Sequence, residues 1–361
     1  MKRRTLVKWF GFSGVAAVGG GGFAVNRSQA ANRYYSGPVS DHFDGRVFFN
    51  PDGTPPGSFA NLLRWQLSNG RKKWPETWPS PHPPAKPAPR VQGDQLRVTM
   101  VGHATLLIQT AGVNILTDPY WSERASPFQF AGPKRVNAPG IAFDDLPPID
   151  IVLLTHNHYD HLDARTINRL KDAHNPLVVT PLGNDTIVEN AVPGVRTVTG
   201  DWGDVVESNG LKLHFEPVHH WSARGTFDRR MALWCGFVVD SPGGKIYHVG
   251  DTGFHEGINY RAAREKHERF RLAILPVGAY EPRWFMKGQH QNPAEAVEGF
   301  GLCNADFAAG HHWGTVQLTN EGIEEPRDAL HAELDRRRIE RNRFRAMQPG
   351  EVWDVPESGT A

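Results

Sequence analysis

The chain of 361 residues has only two cysteines, Cys235 and Cys303. Both sit in apolar surroundings, Leu233-Trp234-Cys235-Gly236-Phe237 and Gly301-Leu302-Cys303, so buried free thiols are expected. Their spacing gives no support for a disulfide. An excess of one charge is missing too: 40 Lys and Arg against 39 Asp and Glu leave a formal net charge of +1. Nothing here recommends a polyanionic partner such as nucleic acid. There is no internal repeat and no transmembrane segment. The length suffices for one large domain with a substantial core.

The first thirty residues read as a separate object. Lys2-Arg3-Arg4-Thr5-Leu6-Val7-Lys8 is basic, Trp9 to Val25 is moderately apolar and glycine-rich, and Ser28-Gln29-Ala30 offers a small-x-small cleavage site. This is the layout of a signal peptide. The paired arginines resemble a twin-arginine export signal, which carries folded protein and implies a periplasmic or exported product. An uncleaved amphipathic anchor is the alternative. No cysteine lies near residue 30, so a lipoprotein anchor is excluded.

Residues 31–95 read as an N-terminal arm. It contains one helical stretch, about Phe59 to Leu67. Residues 70–93 follow, where Trp74-Pro75, Trp78-Pro79 and Pro81-His82-Pro83-Pro84 prevent helix or central strand and suggest a segment wrapping the core. The main domain spans 96–361. Strands are expected at Leu96–Val101, Thr105–Thr110, Val113–Thr117 and Ile149–Leu154. Helices are expected at Asp163–Ala173, Asp185–Ala191, Pro293–Phe300 and Asp328–Arg343. That pattern by itself supports an α/β or α+β domain. The basic run Arg336-Arg337-Arg338-Ile339-Glu340-Arg341-Asn342-Arg343 is expected to be a solvated helix face, with an anionic membrane surface as the functional alternative.

The chemistry is concentrated in Thr155-His156-Asn157-His158-Tyr159-Asp160-His161-Leu162-Asp163, directly after the apolar run 149–154. Imidazole and carboxylate are the side chains that hold Zn²⁺ or a similar transition metal. A tight turn after a strand can aim His156 and His158 at one point and Asp160 and His161 at a second. Four ligands this dense exceed what one mononuclear site needs, so the spacing suggests two metals. Further candidates sit in or at the ends of strand-like runs: His220, closing the run 211–219, with His219 competing; Asp251 within 245–253, a strand that breaks at glycine; and His312 within 308–315, with His311 competing. Strand alternation lets only one member of each histidine pair face the metals easily.

The H-x-H-x-D-H motif resembles the signature of the metallo-β-lactamase superfamily. One branch is resembled more closely, the N-acylphosphatidylethanolamine-hydrolysing phospholipase D family. The segments that carry this are Gly278-Ala279-Tyr280-Glu281-Pro282-Arg283-Trp284-Phe285-Met286-Lys287 with Gln289-His290, Leu63-Arg64-Trp65, Gly102-His103-Ala104-Thr105, Leu116-Thr117-Asp118-Pro119, Arg124-Ala125-Ser126-Pro127, Gly250-Asp251-Thr252-Gly253 and His312-Trp313-Gly314-Thr315. They fall in the family's order across roughly residues 40 to 327.

The resemblance implies a four-layer αββα sandwich and two Zn²⁺ per chain. His156, His158 and His220 would hold the first ion, Asp160, His161 and His312 the second, with Asp251 bridging. Catalysis would rest on Asp160, Asp251 and His290, and Tyr159, Gln289 and His290 would contact substrate. His103 and Asp118, each at the end or start of a strand near the expected site, are candidates to hold the ligand imidazoles from behind, with turn-stabilising polar residues as the alternative. The implied substrate is a phospholipid or other small phosphodiester, cleaved by a metal-activated water, with peripheral contact to a membrane surface. A lactonase or amidase activity, including β-lactam hydrolysis, keeps the same metals and changes the scissile bond. A non-catalytic envelope protein is disfavoured, because a structural site needs only one closed zinc. Acyl-chain preference and oligomeric state, a dimer among the candidates, are left open.

Overall fold

Residues 31–359 are described by the structure, a computed structural model. The N-terminal segment read above as an export signal lies outside the described residues. The first six strands are β1 (Leu96–Gly102), β2 (Thr105–Thr110), β3 (Val113–Thr117), β4 (Ile151–Leu153), β5 (Leu177–Pro181) and β6 (Arg196–Gly200). The next seven are β7 (Val205–Ser208), β8 (Leu211–Glu216), β9 (Gly236–Asp240), β10 (Ile246–His248), β11 (Phe270–Pro276), β12 (Ala305–His311) and β13 (Phe344–Ala346). The last, β14 (Val352–Asp354), returns to the first sheet beside β1.

Each sheet has seven strands, in the orders β14-β1-β2-β3-β4-β5-β6 and β13-β12-β11-β10-β9-β8-β7. In each, one end is antiparallel and the other parallel: β3 to β6 run parallel, as do β10 to β13.

Among the described residues seven α-helices lie outside the sheets: α1 (Phe59–Gln66), α2 (Ala164–His174), α3 (Asn184–Ala191), α4 (Ile258–His267), α5 (Arg283–Met286), α6 (Pro293–Leu302) and α7 (Glu325–Arg337). The period-2 direction of strand side chains separates the core into three slabs. Val98, Ile108, Ile115, Leu153, Phe237, Leu272 and Ile274 fill the space between the sheets. Their strand neighbours Leu107, Leu116 and Val152 point the other way and pack under α2 and α3, against Ile167, Leu170 and Val188. Val238, Tyr247, Ala273 and Leu275 likewise pack under α4, α6 and α7, against Tyr260, Phe300 and Leu334. Three slabs between four layers make the αββα sandwich. Cys235 belongs to the inner slab and Cys303 to the slab under the second helix layer; both are free and buried.

Local chemistry explains the boundaries. Asp163 caps α2, accepting from Arg165 N, and Asn175 ends that helix in the left-handed region at φ 47. Asn292 and Glu295 form a capping box at α6 with Pro293 in its first turn. The helix expected to reach Arg343 instead stops at Arg337, where Arg338 turns left-handed at φ 56. The chain there must reverse into β13. The basic run is therefore only partly helical. Arg336 and Arg337 pair with Glu333, and Arg341 pairs with Asp335. The strand-like run expected through His219 ends at Glu216, since Pro217 has no N–H to give.

Residues 70–93 contain no helix or strand and lie against loops and the residues Gln109 and Asn114 of β2 and β3. Trp78 N donates to Val136 O at 2.6 Å and Ala85 N to Gly140 O at 2.7 Å. The Trp78 ring meets Trp313 at 5.8 Å. Earlier in the arm, Phe43 and Phe48 are fully buried among the residues of the second helix-facing slab.

Candidate metal centre

The chemistry-bearing residues collect at one edge of the sandwich, just beyond strand ends. His103 follows β1, Asp118 follows β3, His156 to His161 follow β4, Asp251 follows β10 and His312 follows β12. Carboxyl ends of strands in such sheets present loops to a common crevice. After β4 the chain makes one tight turn, with His161 N and Leu162 N both donating to His158 O. That turn swings four side chains of the motif inward.

Three imidazole nitrogens converge first. His158 Nδ1 lies 2.9 Å from His156 Nε2 and 3.2 Å from His220 Nε2. Ligand nitrogens of a tetrahedral Zn²⁺ at about 2.0–2.1 Å lie roughly 3.3 Å apart, so the donor set fits such an ion. Burial and the crowding of neighbouring imidazoles hold His156 and His158 well below the ordinary histidine range. Neutral rings with lone pairs facing one another are what a metal requires.

A second group adjoins it. Asp160 Oδ2 is 3.4 Å from His161 Nε2 and 3.2 Å from His312 Nε2. Asp251 Oδ2 lies between the groups, 3.3 Å from His161, 3.1 Å from His312 and 3.7 Å from His220. Burial works against charge here, yet the surrounding imidazoles keep both Asp160 and Asp251 well below the usual carboxylate range. Several inward atoms, among them His161 Nε2 and Asp251 Oδ1, are buried with no hydrogen-bond partner. The donor set and these partnerless atoms fit a metal in each half.

The outward sides of the ligand rings are held. Asp118 accepts from His161 Nδ1 at 2.8 Å, from Thr155 N and from Thr155 Oγ1. Although burial opposes it, His161 and His248 keep the Asp118 carboxyl far below its ordinary value. His156 Nδ1 meets Thr155 Oγ1 at 3.0 Å, and His220 Nδ1 meets the Gln289 carbonyl at 3.0 Å. His103 Nε2 meets Asp160 Oδ2 at 2.8 Å. Burial and the adjacent His312 lower the His103 pKa to about 4. Outer contacts of this kind fix ring orientation and tautomer.

Both open histidine choices resolve in space. His220 faces the cluster, whereas His219 turns away, with Nε2 2.9 Å from Asp52 Oδ1 and Nδ1 3.0 Å from Asn259 Nδ2. His312 faces the cluster, whereas the His311 ring lies behind it, 5.4 Å from the His248 ring. His290 reaches the site from α5's far end, with Nδ1 3.8 Å from Asp251 Oδ2. Burial pushes its pKa down to about 3. Tyr159 stands at the rim, donating to Arg224 O at 2.9 Å. Gln289, expected at the substrate, is buried instead: its carbonyl serves His220, and its side chain donates to Thr54 O at 3.0 Å.

Two contributors carried no sequence signal. Arg224 donates to Asn157 O and Leu162 O, tying both ends of the 156–161 turn, and its guanidinium lies 3.7 Å from the Tyr159 ring centroid. Asn50, in the arm, donates to His220 O at 3.0 Å.

A family model for the β-lactamase superfamily domain matches residues 113–313. The chain belongs to the metallo-β-lactamase superfamily. Within it, the N-acyl-phosphatidylethanolamine-hydrolyzing phospholipase D 1 of Caenorhabditis elegans is 40% identical over 274 residues, covering 73% of this chain and 76% of the worm protein. A UPF0173 metal-dependent hydrolase of Herpetosiphon aurantiacus is 28% identical over 264 residues, covering 72% of this chain and 98% of its own. Among solved structures, the isothiocyanate hydrolase from Delia radicum gut bacteria has a TM-score of 0.55 at 20% identity, covering 71% of this chain and 98% of its own. That last likeness is one of fold. The protein is a metal-dependent hydrolase of the superfamily, with His and Asp clusters that could hold the metal.

Proposed function

We propose that the protein is a zinc-dependent phosphodiesterase of phospholipase D type. Its substrates would be N-acylphosphatidylethanolamine-type lipids, cleaved to N-acylethanolamine and phosphatidic acid. The observation that carries this reading is the Tyr280–His290 segment, which delivers His290 to within 3.8 Å of Asp251 in a chain 40% identical to the worm phospholipase D.

His156, His158 and His220 would hold one zinc, Asp160, His161 and His312 the other, with Asp251 between them. Bound there, the ions would lower the pKa of a water toward about 7 and offset charge on phosphoryl oxygens. Asp160, braced by His103, orients the attacking water. His290, kept neutral by burial, offers an N–H to a phosphoryl oxygen or to the leaving group. Tyr159 lines the approach.

The substrate's place in a bilayer fits one exposed face. Phe59 and Leu63 of α1 and its C-cap Leu67 recur every fourth residue, and all three are solvent-exposed, as is Trp284 of α5. The two helices are joined by Trp65 and Phe285, stacked at 5.3 Å. We assign peripheral membrane contact to this face, since an apolar stripe on a surface helix suits a lipid interface. For export we propose the twin-arginine route. Replacing Arg3 and Arg4 together by Lys should strand the protein in the cytoplasm, and unchanged fractionation would overturn that route.

The deciding experiment is turnover of zinc-loaded protein on phosphodiesters, lactones and β-lactams. N-Acylphosphatidylethanolamine hydrolysis in ¹⁸O-water should place the label in phosphatidic acid. Turnover confined to lactones or β-lactams would overturn the phosphodiesterase reading in favour of the lactonase or amidase.

A further inference from the structure

The loop that carries His220 leaves its sheet early. β8 ends at Glu216 and Pro217 has no N–H to give, so the loop is tied back by His219 N donating to Thr252 Oγ1, by Gly253 N donating to His219 O, and by the Trp234 indole donating to Val218 O. Yet His220 must hold its Nε2 beside His158 and Asp251. Ligand positions tolerate errors of only about 0.5 Å. A further element outside the sheet also holds this loop at His220 itself.

That element is the arm, at residues 50–54, about 170 positions away in the chain. Asn50 Nδ2 donates to the His220 carbonyl at 3.0 Å, while Asn50 Oδ1 accepts from the buried Trp234 indole at 3.1 Å. Asp52 Oδ1 takes His219 Nε2 at 2.9 Å and turns that ring away from the metals. Gly53 fits between them: a Cβ there would lie 2.7 Å from His219 Cδ2 and 2.6 Å from Asn50 Cβ. Thr54 O accepts from the Gln289 side chain at 3.0 Å, and the Gln289 carbonyl meets His220 Nδ1. The arm thus reaches His220 twice, at its backbone and through the residue that fixes its ring.

We propose that Asn50 and Asp52 are positioning residues for the metal centre, acting through the His219–His220 loop. The assignment rests on the reading of His220 as a ligand. The arm is then part of the site's construction and not merely a covering, and it favours one half-site over the other.

The test uses the full chain. Asn50→Asp is nearly isosteric and keeps the acceptor for Trp234, but it places a carboxylate against the His220 carbonyl. Asp52→Ala removes the His219 partner. Asp44→Ala serves as the control, since Asp44 accepts only from Arg46 N and Val47 N within the arm. Zinc retention is followed by chelator competition and elemental analysis, and loop order by amide exchange at 218–220. In Asn50→Asp and Asp52→Ala, one of the two ions should be lost about 10–100-fold more readily while the other holds, as outer contacts of metal ligands usually do. Exchange at 218–220 should rise, and Asp44→Ala should match the wild type. Wild-type retention of both ions in Asn50→Asp would overturn the proposal. So would equal loosening of both ions, or the same loss in Asp44→Ala, because the arm would then act globally. A wild-type protein that binds no zinc would remove the ligand reading instead, and exchange at 218–220 would still decide whether the arm fixes the loop.

Discussion

Asp118 Oδ2 accepts a hydrogen bond from His161 Nδ1 at 2.8 Å, and both residues are fully buried. The contact leaves His161 Nε2 bare toward Asp160 and Asp251. An amide at position 118 could present N–H to N–H and force the other tautomer, which would put a proton where a metal must bind. Asp118→Asn should therefore weaken one metal site by about 10–100-fold with the fold intact. Chelator competition measures it, and wild-type affinity would remove Asp118 from the support of the site.

How far such a site is legible in sequence depends on how local it is. The turn 156–161 is local, and the dense spacing of His156, His158, Asp160 and His161 announces it. The sandwich is half-legible: β1 alternates in sequence, but β4 is apolar throughout and β11 is apolar except for Arg271, because both faces of each are covered. A run of that kind reads equally as buried helix. The choice of His220 over His219 depends on Asp52 and Asn259, far away in the chain. Arg224, Asn50 and the Gln289 carbonyl act through backbone atoms, which leave no residue pattern to recognise. The overlong C-terminal helix is a different failure. Arg338 to Arg343 has helical composition, and only the demand of β13 for a partner strand stops α7 early.

Metal content follows from the two adjoining clusters. Elemental analysis of protein purified without chelator and supplemented with zinc should give about two ions per chain. Asp160→Ala should reduce that count. Asp251→Asn should abolish hydrolysis, since Asp251 faces His161, His312 and His220 together. A single ion indifferent to Asp160→Ala would defeat the dinuclear arrangement.

The docking of the arm's first turn should depend on pH. His42 lies between Asp41, 2.5 Å from its Nδ1, and Asp201, 2.7 Å from its Nε2. Burial alone would lower its pKa, but the two carboxylates outweigh burial and raise it above the ordinary 6.5. A raised folded-state pKa gives a contribution that is complete below 6.5 and is lost as pH climbs through the folded value. Amide exchange in residues 32–50 should accelerate as pH climbs above 6.5, beyond the intrinsic base-catalysed rise. His42→Ala should flatten that excess and cost about 1 kcal/mol at low pH, discounted for the exposure of Asp41 and Asp201. An excess that persists unchanged in His42→Ala would assign the effect to another group.

His290 separates chemistry from metal binding. Its Nδ1 is 3.8 Å from Asp251, and its ring centroid lies 5.1 Å from that of His220 and 5.6 Å from that of His312. Geometry alone would admit it beside His220 and Asp251 as a ligand. Under the proposed seven-ligand arrangement it would instead be a neutral donor to the reacting phosphoryl group. His290→Ala should then keep both metals and lose about a hundredfold to a thousandfold in rate on phosphodiesters, the worth of one hydrogen bond to developing negative charge, roughly 2.7–4 kcal/mol. Metal analysis and kinetics on one preparation decide it. Loss of an ion would make His290 a ligand and displace one of the seven. Full phosphodiesterase activity would remove it from the chemistry, and with it the main residue-level support for a phosphodiester substrate over a lactone.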